Sequence, residues 1–388
     1  MTLALVRMKF AAAAVKIETT PGIDAIGGTP VAADWVAGDC QFDYNPQVID
    51  NPELTGTLDK APSIIGGLRP RITMRVPLRG SGTPGTAPEF GKLLKCCTMA
   101  ETVTAAAIGA PTAPSAGTTT SLTLGAPFAA TAQLYRGMPI LLSGDRTVVT
   151  GITDYTVGKV ASLGETLSPT GGVGTLTQIP INVRYAPTSD EAVYKTATIY
   201  FYADGFQWIF TGCVGTWSLE LTSGGLGFLT FQMQGQMLSH VQAAMVTGWN
   251  AAIRVTPPRW VSGRSQLNRG VARCRRLMFD FGVGVVIPDN PEAPEGYDPA
   301  VPVDRDSRGS IDPLMDTTTG IALWNAFRSG LAMPLMAVIG ETAGNRFVVV
   351  APAVKAVGMR PGEREGLGQN DVAFQCDGAD SDLFLAQF

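Results

Sequence analysis

Two stretches near the end of the chain, GNRFVVVAP at residues 344–352 and EGLGQNDVAFQCDG at residues 365–378, decide how the whole sequence is interpreted. Both have an earlier counterpart. GFQWIFTG at residues 205–212 resembles the first stretch, and GLGFLTFQMQG at residues 225–235 resembles the second. The order, the strand-like character and the glycine positions agree. An internal repeat must be settled before the fold is assigned, because a missed repeat leads to the wrong architecture.

The repeat extends towards the N-terminus of each copy. In both copies an aromatic-Asp-aromatic triplet is followed by a strand and then by a short helix. In the first copy these are 42–44, 71–76 and 89–97, and in the second they are 279–281, 310–312 and 320–327. Because a whole series recurs in order, the sequence predicts a mainly β protein built from a duplicated unit, each copy flanked by a short α-helix.

The two copies differ by one long insertion. The first unit is predicted at residues 1–101 plus 194–239, where residues 1–38 form an arm and loop rather than a signal peptide. Residues 102–193 interrupt it, and runs at 121–124, 140–142, 147–150 and 181–185 alternate as strands do. We therefore expect a small inserted β domain, with a disordered insert as the alternative. Residues 240–275 are predicted as a basic linker and 276–388 as the second unit.

Local patterns predict individual elements. Residues 71–78 alternate apolar and polar side chains, as a half-buried strand does. Asp204-Gly205 between two apolar runs predicts a tight hairpin. Each helix should pack on a sheet through one apolar stripe. The stripes are Phe90, Leu93, Leu94 and Cys97 in the first helix and Ile321, Leu323, Trp324 and Phe327 in the second.

Composition restricts the class of protein. Charged residues make up 16%, the net charge is −4, and Gly (45) and Pro (27) are abundant. Low charge suits either a protein that hides its surface against copies of itself or a β-rich monomer. The balance does not suggest a nucleic-acid binder, although a conduit past which DNA slides would also avoid positive charge. No apolar run is long enough to span a membrane, and the six cysteines lack the spacing of a metal site.

Catalysis has little support. His240 is the single histidine, so a catalytic triad or a histidine-rich metal site has almost no basis. Asp304, Asp306 and Asp312 could form a carboxylate cluster, which keeps a hydrolase as a weak possibility. Charges of this kind also protect strand edges from wrong pairing. We expect no enzyme activity, no cofactor and no metal.

Two long loops and one basic segment are the candidate interaction sites. The loop at 45–67 and its counterpart at 288–303 are longer than compact domains usually allow, which indicates interaction. The basic segment is followed by an acidic loop, 289–306, so pairing between the two, within or between subunits, is expected ahead of phosphate contact. The arginines considered for subunit or phosphate contact are Arg254, Arg259, Arg264, Arg269 and Arg273.

Several motifs resemble those of tail tube proteins from long-tailed bacteriophages. The N-terminal part carries LTGTLDKAPSIIGG at 54–67, RITMRVPLRGSGTPGTAP at 71–88 and FGKLLKCCTMAETV at 90–103. The C-terminal part carries GSIDP at 309–313, AGNRF at 343–347 and EREGLG at 363–368. The resemblance covers about two thirds of the chain, and its motifs are structural.

The resemblance implies β-sandwich units whose inner sheets close into a barrel around a lumen, in rings that stack into the tail tube through which DNA passes. It implies self-association, contacts with tail terminator, tape measure and distal tail proteins, transient non-specific DNA contact, no membrane, and a virion location after synthesis in the host cytoplasm. Ring stacking would use the two long loops. Their candidate residues are Asn45, Asp50, Leu54, Asp59, Lys60, Pro288, Asp289, Glu292 and Asp298.

The duplication bears on stoichiometry. Two units per chain predict three chains per ring with pseudo-sixfold symmetry, and the alternative is six chains with the second unit on the outside. The insert should project outside the tube. Another virion component, such as a tail-tip, adhesion or capsid-decorating protein that binds host glycan through the insert, is the alternative function.

Overall fold

The computed structural model describes residues 6–7, 10–143, 147–167, 176–246, 255–293, 295–317 and 319–388. The chain is mainly β. Its first part contains β1 (Ala11–Ile17), β2 (Trp35–Val36), β3 (Asp39–Asp43), β4 (Pro46–Ile49), β5 (Ile64–Leu68), β6 (Arg71–Pro77), α1 (Gly91–Lys95) and β7 (Met99–Thr104). A small separate sheet follows, formed by β8 (Ile108–Thr112), β9 (Ala116–Gly117), β10 (Ser121–Thr123), β11 (Pro139–Ser143), β12 (Thr147–Tyr155), β13 (Val160–Leu163) and β14 (Leu176–Ile179).

The chain then returns to the large sheet with β15 (Asn182–Pro187), β16 (Ala197–Ala203), β17 (Phe206–Thr222) and β18 (Phe228–Gln242). The last part contains β19 (Arg264–Leu267), β20 (Gly270–Val271), β21 (Cys274–Asp280), β22 (Val283–Val286), β23 (Val301–Arg305), β24 (Arg308–Pro313), α2 (Thr319–Ser329), β25 (Met333–Ile339), β26 (Phe347–Arg364), β27 (Leu367–Cys376) and β28 (Phe384–Gln387). Short 3₁₀ turns lie at Ala32–Asp34 and Glu191–Val193.

Strand order confirms the duplication. In the first copy the neighbours are β3, β6, β18, β17 and β16, all antiparallel. In the second copy β21, β24, β27, β26 and β25 pair in the same order. A short strand pair covers the last strand of each series, β1 with β2 on β16 and β19 with β20 on β25. The two units therefore share one topology.

Individual backbone hydrogen bonds and strand pairings are also repeated in the two units. The amide of Leu78 donates to the carbonyl of Gly227 at 2.9 Å, and at the matching place Met315 donates to Gly368 at 2.8 Å. The hairpin β4–β5 pairs Pro46 with Leu68 and, after an irregularity, Val48 with Ile65. The hairpin β22–β23 repeats both pairings and the irregularity with Val283, Arg305, Val285 and Pro302.

The alternation of apolar and polar residues along the strands determines which face of each sheet lies in the core. Ile72, Met74 and Val76 of β6 are at most 1% exposed, whereas Arg71, Thr73 and Arg75 between them are exposed, as predicted. These apolar faces meet in one core that runs through both units. The predicted hairpin at Asp204-Gly205 is confirmed, because both residues adopt the positive φ (27° and 102°) of a tight turn.

The helix stripes are confirmed for α1 and only partly right for α2. Phe90, Leu93, Leu94 and Cys97 are fully buried. In α2, Leu323, Ala326 and Phe327 contact the core, but the side chains of Ile321 and Trp324 are 65% and 46% exposed. The buried residues keep the spacing i, i+3, i+4, so the prediction had the right period but the wrong rotation about the helix axis.

Strand pairing shows where the small sheet begins and ends. It runs from β8 to β14 around its own core, which includes Leu122, Phe128, Ile140 and Tyr155. The flanking strands β7 and β15, at 99–104 and 182–187, pair with each other in the large sheet. The predicted linker likewise contains β19 and β20, which pair with each other and, through β19, with β25. The boundaries predicted from the sequence, 102–193 for the insert and 240–275 for the linker, stay a prediction.

The small sheet rests on the outer surface of the second unit. Leu141 and Val149 pack against Met336, Val348 and Val350 of β25 and β26. A Cβ atom added at Gly151 would lie 2.4 Å from a methyl group of Val350, so only glycine allows this approach. The insert is therefore a packed domain.

Replacing Gly151 by alanine should destabilise the protein by about 1–3 kcal/mol, because the added methyl group overfills this contact. The midpoint of thermal or urea unfolding measures the change. Gly158→Ala is the matched control, since a Cβ atom there meets only Thr156 at 3.6 Å. Equal stability of both variants would contradict the packing described.

Candidate assembly interfaces

The junction between the two units is a continuous antiparallel strand pairing. The end of β17 pairs with β21, Ser218 opposite Asp280 and Thr222 opposite Arg276. Beyond them the amide of Phe281 donates to the carbonyl of Trp217 at 2.9 Å, and the two rings stack with centroids 5.3 Å apart. Backbone hydrogen bonds and an aromatic stack thus fuse the β17 sheet of the first unit and the β21 sheet of the second into one, which is called the inner sheet below.

The fused inner sheet contains eight strands in the order β3, β6, β18, β17, β21, β24, β27 and β26. Among the described residues, β3 pairs only with β6, and residues 358–364 of β26 pair only with β27. Both ends of the sheet therefore present an open edge. Exposed edges are sites where another strand can add.

The two long loops are hairpins that meet at their bases. Tyr297, in the second loop, is 5% exposed and donates from its hydroxyl to Gln47 in the first hairpin at 2.7 Å. Arg69 lies over the Tyr297 ring, 4.1 Å from its centroid, and pairs with Asp289 at 3.1 Å. The amide of Leu68 donates to Glu295 at 3.0 Å. Sequence reasoning missed this contact, because more than 200 residues separate the partners.

A comparison with models of protein families decides what the repeated unit is. The model for the phage tail tube protein family matches residues 11–376, which is nearly the whole chain. The chain belongs to the phage tail tube protein family. A comparison with curated proteins finds no match. As a phage tail tube protein, the chain is a structural component of the virion, in a family that is not enzymatic and whose members assemble into a tube.

In this tail tube protein, the stacking candidates occupy two different environments. Asn45 starts the first hairpin with φ 44°, and its backbone amide donates to the carboxylate of Asp43 at 3.2 Å. Asp50, Leu54, Asp59 and Lys60 lie towards the exposed tip, where Leu54 and Leu58 are fully exposed. In the second loop Asp289 and Glu292 are exposed, while Pro288 and Asp298 are half-buried. The role of these residues in stacking stays a prediction.

Two of the candidate arginines of the tail tube protein, Arg264 and Arg269, contact the insert. Arg264 forms an ion pair with Glu165, which is 2% exposed, and Arg269 donates to the carbonyl of Leu163 at 3.1 Å. Arg259 forms a backbone bridge with Leu226, and the carbonyl of Arg273 accepts the amide of Leu314 at 2.9 Å. Arg254 lies outside the described residues. Within the single chain, Arg264 and Arg269 thus contact the insert, and the expected pairing of the basic segment with 289–306, within or between subunits, stays a prediction.

The surface of the inner sheet that faces away from the core is polar and balanced in charge. Its acids and its arginines are equal in number, and none of them is buried. Arg276 pairs with Glu220 at 2.8 Å and Arg364 with Asp312 at 3.1 Å. Cancelling charges hold phosphate weakly. The residues are Asp39, Asp43, Glu220, Asp280, Asp312 and Asp371, with Arg71, Arg75, Arg276, Arg308, Arg360 and Arg364.

The side chains considered for catalysis are engaged in ring stacking, hydrogen bonds and ion pairs within the fold. The His240 ring stacks on Trp208 with centroids 4.7 Å apart. Hydrogen bonds from Arg308 lower the pKa of Asp306, which is the opposite of the shift that a general acid needs, and Asp312 forms an ion pair with Arg364. In the described ranges no group of His, Cys, Asp and Glu could hold a metal ion, and no helix there is long and apolar enough to cross a membrane.

Proposed function

We propose that three copies of this chain close into a ring, and that the rings stack into the hollow tail tube through which phage DNA leaves the capsid. The observation that carries the proposal is the β17–β21 pairing, which joins two equivalent units edge to edge within one chain. The same edges are open at β3 and β26. A contact between different surfaces that repeats by rotation produces a closed ring.

The dimensions of the barrel favour three chains over six. Strands lie about 4.8 Å apart and tilt by about 40° in barrels. Eight strands from each of three chains would form a barrel about 48 Å across between backbones, which leaves room for one duplex after the side chains are added. Six chains that all contributed eight strands would enclose about 95 Å. In the alternative hexamer, the second unit would have to leave the wall, although its sheet is continuous with the first.

The polar surface of the inner sheet would line the channel. Its opposed charges offer no continuous positive track, so DNA contact would be transient and non-specific. The small sheet lies on the opposite side, on the outer surface of the second unit. Tail terminator, tape measure and distal tail proteins would meet the ends and the lumen of the tube, after synthesis of the chain in the host cytoplasm.

Electron microscopy of the purified protein and of virions that contain it tests the proposal, with symmetry determined along the particle axis. Hollow stacked rings with three chains each are expected. Six chains per ring would keep the tube but overturn the stoichiometry. Compact monomers under every condition would favour the alternative virion component that binds host glycan through the insert.

A further inference from the structure

We propose that the ring closes through one defined seam, in which the open edge of β26 pairs antiparallel with β3 of a second copy. The register places Arg360 opposite the second copy's Asp43, Gly362 opposite Gln41, and Arg364 opposite Asp39. This seam rests on the proposed ring and specifies its contact residues. The second copy also lays its hairpin β4–β5 across β26.

The register follows from the duplication. Inside the chain Phe279 lies opposite Gly309, and the matching pair in the first unit is Phe42 with Ile72. Following the ladders across each sheet makes Trp217 equivalent to Met359, since they lie opposite Phe231 and Val372. Ser218 opposite Asp280 then becomes Arg360 opposite Asp43, and Thr222 opposite Arg276 becomes Arg364 opposite Asp39.

The charges on the two open edges are complementary. Arg360 and Arg364 alternate along β26, and Asp39 and Asp43 alternate along β3 with the same spacing. Arg360 is exposed and forms no ion pair with the described residues. In the proposed register each arginine faces an aspartate. Opposite charges on directly opposed positions stabilise a strand pair, and a shift of one residue removes both contacts.

The hydrophobic contacts of the internal junction also have counterparts. Trp217 stacks on Phe281 inside the chain, and the equivalent pair across the seam is Met359 with Tyr44 of the second copy. Both Met359 and Tyr44 are half-buried in the single chain. A thioether against an aromatic ring is a favourable contact. The seam would therefore bring Met359 and Tyr44 of two copies together at the positions that Trp217 and Phe281 occupy inside the chain.

The first hairpin is left uncovered where its equivalent is covered. The side chains of Val48 and Ile65 are 58% and 62% exposed, whereas their counterparts Val285 and Pro302 are half-buried. The second hairpin is covered because it lies across β17, where the amide of Val283 donates to the Thr216 hydroxyl at 3.0 Å. An uncovered copy of a covered surface indicates that the cover comes from another chain.

The receiving surface on the second unit shows a matched change. The counterpart of Val283 is Pro46, which has no N–H group, and the counterpart of Thr216 is Gly358, which has no hydroxyl. The donor and the acceptor are thus both absent from the seam, so neither is left unsatisfied. Pro361 takes the place of Leu219 and has no N–H to donate across the seam to Phe42, so the seam would contain one ladder hydrogen bond fewer than the internal junction.

A disulfide between Gly362→Cys and Gln41→Cys tests the register. These residues would form a non-hydrogen-bonded pair with Cα atoms about 4.5 Å apart, which a disulfide can span. The doubly substituted protein should give cross-linked dimers and closed trimers under oxidation. Either single variant should give neither. Gly362→Cys with Asp43→Cys, two residues out of register, is the matched control and should cross-link far less.

The native cysteines are not expected to form the cross-links that this experiment measures. Cys40, next to Gln41 in sequence, is buried, and its burial raises the pKa of its thiol to about 12. Burial likewise raises the pKa of Cys96 and of Cys376 to about 12. Thiols that stay protonated react slowly. Cys274 is half-buried and is also present in both single variants, so cross-links that form only in the double variant can be assigned to the introduced pair.

A charge exchange gives an independent test. Arg360→Asp should raise the concentration needed for assembly about tenfold or more, because two carboxylates would face each other across the seam. Adding Asp43→Arg in the same chain should restore assembly. Arg308→Asp makes the same charge change on the same face but on an interior strand, and should assemble normally.

The outcomes separate the seam from the ring. Tubes visible by electron microscopy with cross-linking only in the out-of-register control would overturn the seam and leave the ring standing. Failure of the unsubstituted protein to form rings would overturn the ring itself. Circular dichroism of the reduced variants, and reversal of cross-links by a reductant, show whether a negative result comes from misfolding.

Discussion

Replacing Trp217 by alanine is expected to destabilise the folded chain by about 3–5 kcal/mol, the usual cost of removing a large buried aromatic side chain. Trp217 is 1% exposed and stacks on Phe281, so its removal leaves a cavity at the place where the two units join. The midpoint of urea unfolding, followed by circular dichroism, measures the loss. A cost of that size is a large part of the stability of most domains.

Trp217→Phe is the matched control and should cost about 1 kcal/mol or less, since the ring stack persists and the indole N–H, buried without a hydrogen-bond partner among the described residues, is removed. Similar losses in both variants would show that the stack at the junction does not carry the stability.

The equivalent residue in the second unit should behave in the opposite way. Met359 is half-buried and lies next to the open edge of β26. Met359→Ala should therefore change the unfolding midpoint of the single chain little, while it weakens ring formation. The same position would thus stabilise the fold in one unit and assembly in the other.

Removing the tip of the first hairpin is expected to abolish the tube and keep the ring. Replacing residues 51–62 by Asn-Gly would leave Ile49 paired with Ile64 and join the strands through a two-residue turn. The excised segment carries Leu54 and Leu58, both fully exposed, together with Asp59 and Lys60. Sedimentation and electron microscopy should show single rings in place of long tubes.

The exposed tip supports this expectation, because a monomer gains nothing from two solvated leucines on a protruding loop. A shortened variant that still forms normal tubes would refute the stacking role of the hairpin. Leu54→Ser with Leu58→Ser in the full-length hairpin is the matched variant. It keeps the backbone and should shorten the tubes if apolar contact, rather than loop length, joins the rings.

Local rules predicted much of the fold. Strand β6 followed from its alternation, the turn at Asp204-Gly205 from its chemistry, and the duplication from recurring motifs. The length of β17 and β26 did not, because Gly212 and Gly215 divide the first and Pro352 and Pro361 the second in sequence. Both strands bend at irregularities in pairing and continue, which only the neighbouring strands determine.

The candidate interfaces were harder to predict, because their contacts connect distant parts of the chain. The basic segment was expected to pair with the acidic loop 289–306, and nothing in the local sequence indicated Glu165 as the partner of Arg264. Nor did the sequence indicate the contact of Tyr297 with Gln47, which are 250 residues apart. The rotation of α2 depended on which strands it covers, since Ile321 and Leu323 are equally apolar.

The insert leaves the chain from the first unit and rests on the second, through the contact at Gly151 and the ion pair of Arg264 with Glu165. The two units, although equivalent in topology, therefore differ on their outer surfaces. Around the proposed tube the inner wall repeats every sixth of a turn, whereas the outer surface carries a domain only every third of a turn. A partner that grips the outside would meet threefold symmetry, and DNA inside would meet a nearly sixfold channel.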